Sequence, residues 1–371
     1  MPEVKCTCKA ILFLLVCTTI GSHVHGNFPG PYVVYRGTSD ASAAVGLGND
    51  MFVVADDENN VLRIYKSNTP SQPISSYDLT PFVVNDPNYP EADIEGAAMV
   101  DDRIYWITSH GRNKDGKMRQ NRYRFFATSV GMVNDSVMIT SVGIPCSTLI
   151  HEMIKSEVTQ HLQLDSVTRF DAKKLKKKER KKLAPKEEGL NIEGLCATPD
   201  GKTLYMGFRS PQFFDRATSK KRAIIVPLHN PKQVIEKEES PIFGIPILWS
   251  LDGLGIRSME YSHFHKSYFI IAGPQNEAPG FALYRWSGKK EEQPVLVKKF
   301  PVGQDNFAAE ALIVFENSGR LLVLSDDGSI VIDISDASEC FKGKILKDGK
   351  CLNKYLSVQN KKYFRGMWLH L

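Results

Sequence analysis

ADIEGAAMVDDRIYWITSHG (residues 92–111) and LNIEGLCATPDGKTLYMGFRS (190–210) follow one pattern. An acidic residue precedes a short run of small and apolar residues, a tight turn follows, and a strongly hydrophobic run ends in polar groups. SDASAAVGLGNDMFVVADDE (39–58), IRSMEYSHFHKSYFIIAGP (256–274) and AAEALIVFENSGRLLVLSDDG (308–328) repeat it. Short β-branched and aromatic runs bounded by Gly, Asn, Asp and Pro read as strands. Further runs of the same kind come after the units: VLRIYKS, RYRFFATS with SVMITSV, AIIVPL with PILWSL, and FALYRW with VLVKKF. Four strands per unit, at a period of about 45 to 65 residues, is the sequence signature of a propeller blade.

The pattern predicts an all-β chain: a single β-propeller over residues 27–371, with five blades. YVVYR (32–36) and FRGMWL (364–369) are left over as strands and suit a ring closed by pairing the two chain ends. The spacing from the second unit to the third is about twice the others, which marks an insertion at about residues 147–189. Within it Leu149, Ile150, Met153, Ile154, Val158 and Leu162 recur at helical spacing. The expectation is an inserted helix followed by a mobile basic loop; a degenerate sixth blade is the alternative.

With 371 residues, 42% hydrophobic and 24% charged, the composition excludes a mainly disordered, collagen-like or multi-span membrane protein. The net charge of +5 is unevenly placed. Residues 173–186, KKLKKKERKKLAPK, hold nine Lys or Arg against Glu179, a local +8. Residues 1–26 add +1, so the remainder of the chain carries −4. Such a run is either a solvated loop or a surface for a polyanion such as heparin. Lys5 and Lys9 before the apolar run ILFLLVCTTI (11–20) predict a cleaved signal peptide over residues 1–26 and a secreted protein. The run is too short to span a bilayer, and secretion argues against nucleic acid as a partner.

Cys146, Cys196, Cys340 and Cys351 would remain after cleavage. An oxidising compartment permits two disulfides: Cys340 with Cys351 by proximity, leaving Cys146 with Cys196. Four buried thiols are the alternative. Asn134 opens an Asn-Asp-Ser sequon and would be glycosylated in a secreted protein.

The innermost strands of a propeller line its central channel, so a residue repeated in every blade arrives at the axis. Asp40, Glu95, Glu193, Glu260 and Glu310 occupy such positions. Carboxylates facing one another there repel unless protonated or neutralised, and a hard cation with six to eight oxygen ligands answers that. Calcium is the first candidate and magnesium the second. The alternative is that these acids bond strand amides or pair with Arg. His110, Arg112, Lys117, Arg119 and Arg122 follow the second unit, Arg209 ends the third and Arg257 opens the fourth. Guanidinium groups above a cation would grip a small anionic ligand or substrate. His110 would then carry a proton, with Arg112, Arg209 and Arg257 on the substrate, in the manner of phosphoester hydrolysis. Asp56, Asp57, Glu58, Asp326 and Asp327 at strand ends could hold a second cation or receive those Arg. There is no phosphate-binding Gly-rich loop, G-x-S-x-G elbow, H-E-x-x-H helix or zinc-spaced Cys pair.

In order along the chain, SDASAAV, FVVADDENNVLRIY, DIEGAAMVDDRIYWITSHGRNKDGK, NRYRFFATS, LNIEGLCATPDGKTLYMGFRSP, RAIIVPLHNP, GIRSMEY, FIIAGP, FALYRWSG, EALIVF and LSDDG resemble the domain-of-unknown-function 3616 family, from about Tyr35 to Asp333. The resemblance implies a propeller; the family is known mainly from bacteria and has no established activity. More distantly the E-G motifs are similar to esterase-like phytase propellers, and the ring of acids to calcium-activated nucleotidases, five-bladed with calcium in the channel. Those likenesses imply calcium and phosphate esters. The basic insert between Cys146 and Leu190 departs from the bacterial pattern. Three readings therefore stand: a metal-dependent phosphoester hydrolase, a non-catalytic ligand- or partner-binding propeller in which the metal is structural, and a surface-interaction protein acting through the Lys-rich insert with the propeller as passive scaffold.

Overall fold

The computed structural model describes residues 32–48, 50–134, 136–170, 175–186, 188–276, 278–302 and 307–371. The expected signal peptide lies outside these residues. No described helix is long and apolar enough to cross a membrane.

Five antiparallel sheets follow one another along the chain. The first holds Ala41–Leu47, Met51–Asp56, Asn59–Lys66 and Ser75–Asp78, from the innermost strand outwards. The second holds Ile94–Val100, Arg103–Thr108, Phe125–Val133 and Ser136–Cys146. In the third, Asn191–Ala197, Leu204–Ser210 and Lys220–Leu228 are edged by Ile247–Trp249 and by the short Phe213–Asp215. Gly255–Ser262, Ser267–Gly273, Ala282–Trp286 and Val295–Lys299 make the fourth. The fifth takes Ala309–Val314, Arg320–Ser325 and Tyr363–His370 from one end of the chain and Tyr32–Arg36 from the other. Tyr32 pairs with Met367 and Arg36 with Tyr363, so the ring closes by the pairing of the chain ends that the leftover strands predicted.

Alternation explains why the second strand of each blade is hydrophobic throughout. Successive side chains on a strand point to opposite faces, and in a ring both faces of every sheet meet a neighbour. In Met51–Asp56, Val53 and Ala55 pack towards the second blade with Ile104 and Trp106. Phe52 and Val54 turn instead to the fifth, with Tyr35, Leu322 and Phe364. Tyr268, Ile270 and Ala272 of the fourth blade meet Trp249 and Ile225 of the third, while Phe269 and Ile271 meet Leu312, Leu321 and Val323 of the fifth. Each Val, Leu, Ile or Phe side chain fully buried in this way contributes about 1.5–3 kcal/mol.

The innermost strands are rich in small residues because they stand against one another around the axis. A Cβ on Gly96 would lie 2.9 Å from the Glu193 carbonyl oxygen, and one on Gly194 2.7 Å from Cγ2 of Ile256. This accounts for the Glu-Gly pairs of the second and third repeats: the glycine lets the next blade approach.

The described residues of the insertion form no sixth blade. Leu149–Lys155 and Leu164–Thr168 are two short helices rather than one, and Leu149, Ile150, Met153, Leu162 and Leu164 bury their apolar face against Phe125, Ile192 and Phe208. Nor is the described part of the basic run a loop free of the body. Lys177–Lys182 is helical, Leu183 and Ala184 behind it are buried, and Arg180 donates through Nε to the Asp115 carbonyl at 3.2 Å. The cysteine pairing is half as expected. Cys340 and Cys351 form a disulfide, with Cα atoms 5.9 Å apart, but Cys146 and Cys196 are free thiols. Cys196 sits in the apolar cluster between the third and fourth blades, whereas Cys146 packs on that between the second and third. The third sheet separates them.

Gly194→Val is expected to destabilise the protein by about 1–3 kcal/mol through overpacking at the axis, read as a lower denaturation midpoint in urea with an unchanged slope.

Candidate functional site

In all five blades the innermost strand slips register against its neighbour at an equivalent place: Ala41/Ala43, Ile94/Gly96, Ile192/Gly194, Ile256/Ser258 and Ala309/Ala311, the third blade having a second slip at Asn191/Ile192. A bulge leaves one residue outside the ladder and re-aims its side chain. The residues so released are Ser42, Glu95, Glu193, Arg257 and Glu310, and all five line a cavity of about 650 Å³ at the axis. The repeated acids Glu95, Glu193 and Glu310 thus arrive where the sequence placed them. In the first blade the bulged residue is Ser42, although Asp40 also lines the cavity. In the fourth it is Arg257. Glu260, three residues along, does not line the cavity; it stands near Cys196, whose thiol burial, and then the Glu260 charge, push up. Aligning the repeats on the residue before the small side chain, rather than on the acid, would have identified Arg257.

One side of the cavity is internally neutralised. Glu193 accepts from Asn191 Nδ2 at 2.7 Å, Arg209 Nη1 at 2.7 Å and Arg257 Nη1 at 3.2 Å. Arg257 Nη1 also reaches both oxygens of Glu310, at 2.7 and 2.8 Å. The remaining terminal nitrogens are used as well: Arg209 Nη2 donates to the Gln275 carbonyl at 2.8 Å and Arg257 Nη2 to that of Pro274 at 2.9 Å. These two arginines therefore clamp the loop after Gly273, which brings Asn276, Pro279 and Phe281 to the cavity. Their terminal nitrogens are already committed to protein acceptors, not free to grip a ligand.

The opposite side is acidic. Asp40, Asp57, Asp93, Glu95 and Asp326 line it, with Arg122 and Lys354 as the cations among them. Arg122 is committed to Asp93 at 2.9 Å and to Glu91, and Lys354 Nζ lies 2.5 Å from Glu58. Two groups, Asp40 with Asp57 and Glu58, and Asp57 with Asp93 and Glu95, each bring one oxygen per residue within 4.8 Å of the others. Asp57 belongs to both, and its Oδ1 is shut from solvent without a hydrogen-bond partner. Burial pushes the carboxyls of Asp40, Asp57 and Glu95 well up. Neighbouring acids add to this: Asp326 and Asp56 on Asp40, Asp40 and Glu95 on Asp57, Glu193 and Asp93 on Glu95. A set of convergent carboxylate oxygens around an orphaned one is the donor chemistry of a hard divalent cation.

Gly328 is required here. Its amide donates to Asp326 Oδ1 at 2.9 Å, and a Cβ on it would lie 1.8 Å from Asp40 Oδ1.

Two residues expected in the site are elsewhere. Buried His110 bonds through Nδ1 to the Thr108 carbonyl at 2.9 Å and does not line the cavity. Burial lowers it to about 4, so the ring is neutral at physiological pH; its stabilising contribution is present above the ordinary value near 6.5 and lost as pH falls towards 4. Arg112 donates to the carbonyls of Gly116 at 3.2 Å, Thr168 at 2.8 Å and Arg169 at 3.3 Å, stapling the insertion to the second blade. Lys117 and Arg119 also stand outside the cavity lining. The repeat pattern gave no sign of Lys354. It lies beyond the fifth unit, carried to the axis by the excursion 326–362, in which Asn353 Nδ2 donates to the carbonyls of Asp327 at 3.1 Å and Tyr363 at 2.7 Å.

A family model described as "Protein of unknown function (DUF3616)" matches residues 40–331. No curated protein matches the chain. Among solved structures, a putative oxidoreductase (glucose dehydrogenase) from Thermus thermophilus is similar at 11% identity and a TM-score of 0.40, covering 91% of this chain and 100% of its own. The PQQ-bound aldose sugar dehydrogenase of Streptomyces coelicolor is similar at 10% identity and 0.38, covering 90% and 96%. Myxococcus xanthus glutaminyl cyclase is similar at 11% and 0.36, covering 78% and 88%.

Arg257→Ala would leave Glu193 and Glu310 buried beside a missing partner. The expected loss is about 3–5 kcal/mol of folding stability, read by denaturant unfolding.

Proposed function

We propose that this chain, which belongs to the DUF3616 family, is an extracellular propeller that holds a divalent cation on the acidic side of its channel and receives a small anionic ligand beside it. The observation that carries the reading is Asp57: shared by two groups of converging carboxylates, with one oxygen buried and unpartnered. Calcium fits better than magnesium, because acids contributed by separate strands and loops suit a larger shell of variable geometry, whereas magnesium demands a near-ideal octahedron. The bound cation supplies positive charge that binds and polarises an anionic oxygen.

The cavity is far larger than an ion needs. Its volume of about 650 Å³ lies within the range of about 300–1,000 Å³ common for small-molecule sites. Lys114, Ala184, Pro185 and Lys186 wall its insertion side, so an anion entering there meets lysine first. Hydrolysis of a phosphate ester extends this reading. With His110 outside the cavity, its expected role as proton carrier does not stand, and Asp57 and Glu95 are taken up by the cation. The Cys340–Cys351 disulfide supports an oxidising, extracellular setting, in which Asn134, exposed at a turn of the second blade, would be glycosylated.

Calcium at about a hundred times its Kd should stabilise the protein by about 2.7 kcal/mol, seen as a higher Tm than in chelator. Raised carboxyls bind protons in competition with the cation, so the calcium-dependent gain should grow as pH rises from 5.5 to 8. Asp57→Asn should abolish it. Coincident melting curves with and without calcium at both pH values would overturn the reading. Turnover on a phosphoester panel that disappears in Asp57→Asn makes the protein a hydrolase, whereas calcium binding without turnover makes it a binding propeller.

A further inference from the structure

The basic insertion is folded in a way that charge repulsion opposes. Lys177–Lys182 is a helix in which Lys177 faces Lys181, and Lys178 faces Lys182, four residues apart, a spacing at which like charges destabilise a helix. Among the described residues the ion pair made by this helix is Lys182 with Glu188, at 3.9 Å. Glu179 is occupied at the helix start, where its carboxylate accepts from the Lys176 amide at 3.1 Å. Lys176, Lys177, Lys178, Lys181 and Lys182 are all exposed.

Rather than dispersing into solvent, this charge is held against the body and enlarged. Leu183 and Ala184 anchor the end of the helix, Arg180 bonds the Asp115 carbonyl, and Gly116 packs so closely that a Cβ there would lie 1.8 Å from the Arg180 carbonyl oxygen. The turn docked on Arg180 carries Lys114 and Lys117, both exposed. Outside this run and the first 26 residues the chain has a net charge of −4, so the face is a local basic surface on an acidic body. Lysines held this close together cost folding stability and make a rigid electrostatic site for a polyanion.

We infer that Lys114, Lys117 and the helix Lys177–Lys182 form one docking face for a sulfated polysaccharide. The disulfide argues for an oxidising compartment, where such glycans rather than nucleic acids supply the polyanion. Lys114 also lines the axial cavity, whereas Lys117 and the helix lysines do not, so those residues distinguish this face from the cation site.

The probe is heparin, with duplex DNA of equal mass concentration as competitor. The full chain should be retained on immobilised heparin and elute at a salt concentration well above that of an equally charged control protein. The variant with Lys177→Gln, Lys178→Gln, Lys181→Gln and Lys182→Gln should keep its Tm and lose about tenfold or more in heparin affinity, as expected when several ionic contacts to a polyanion are removed. Lys117→Gln, which leaves both the helix and the cavity lining intact, should also weaken binding. Unchanged elution of either variant overturns the shared face, and preference for DNA over heparin at equal ionic strength overturns the glycan assignment.

Discussion

Five sheets converging on one axis must place the charge of their innermost strands in a common space, and the rest of the molecule answers that constraint. The bulge that recurs in every blade frees one residue from the ladder and turns it inwards. Three of those residues are glutamates, which in a low-dielectric channel repel strongly. The protein solves half of the problem itself. Arg257, also on a bulge, lies between Glu193 and Glu310, and Arg209 supports Glu193 from the next strand. The side formed by Asp40, Asp57, Asp93 and Glu95 has no such partner for each acid, and it is here that protons or a cation must balance the charge.

This division changes what the arginines mean. A guanidinium near an acidic cluster suggests substrate binding, but a guanidinium whose terminal nitrogens already reach carboxylates and carbonyls is a structural clamp. Arg209 and Arg257 hold the loop after Gly273 at the mouth, and Arg112 does the same for the insertion. The cavity is otherwise lined by carboxylates of the first and second blades and by lysines carried on excursions from the ring. One excursion, pinned by the Cys340–Cys351 disulfide, brings Lys354 to Glu58; the other brings Ala184, Pro185 and Lys186 to the opposite wall.

The repeat made the propeller legible because each blade must bury both faces of its second strand, which writes the same hydrophobic run five times. Glu-Gly was legible for a related reason: the acid is bulged inwards, and the glycine behind it admits the neighbouring blade. The same repeat misled at Glu260, since the bulge, not the acid, is the geometry that the five units share, and in the fourth blade the bulged residue is Arg257. His110 read as a proton carrier because it ends a hydrophobic strand, yet its imidazole turns back to Thr108.

By itself the sequence determined the propeller repeat and the pairing of the two chain ends, and it favoured five blades and the Cys340–Cys351 bridge, all of which follow from local periodicity or proximity; the sixth blade and the unbridged thiols it left open. Only the tertiary structure decided which acids meet and which are neutralised, that Cys146 and Cys196 are kept apart by a sheet, and that the lysine run lies on the body. Those outcomes depend on where bulges and loop excursions aim side chains from residues far apart in the chain, and no local pattern encodes that direction.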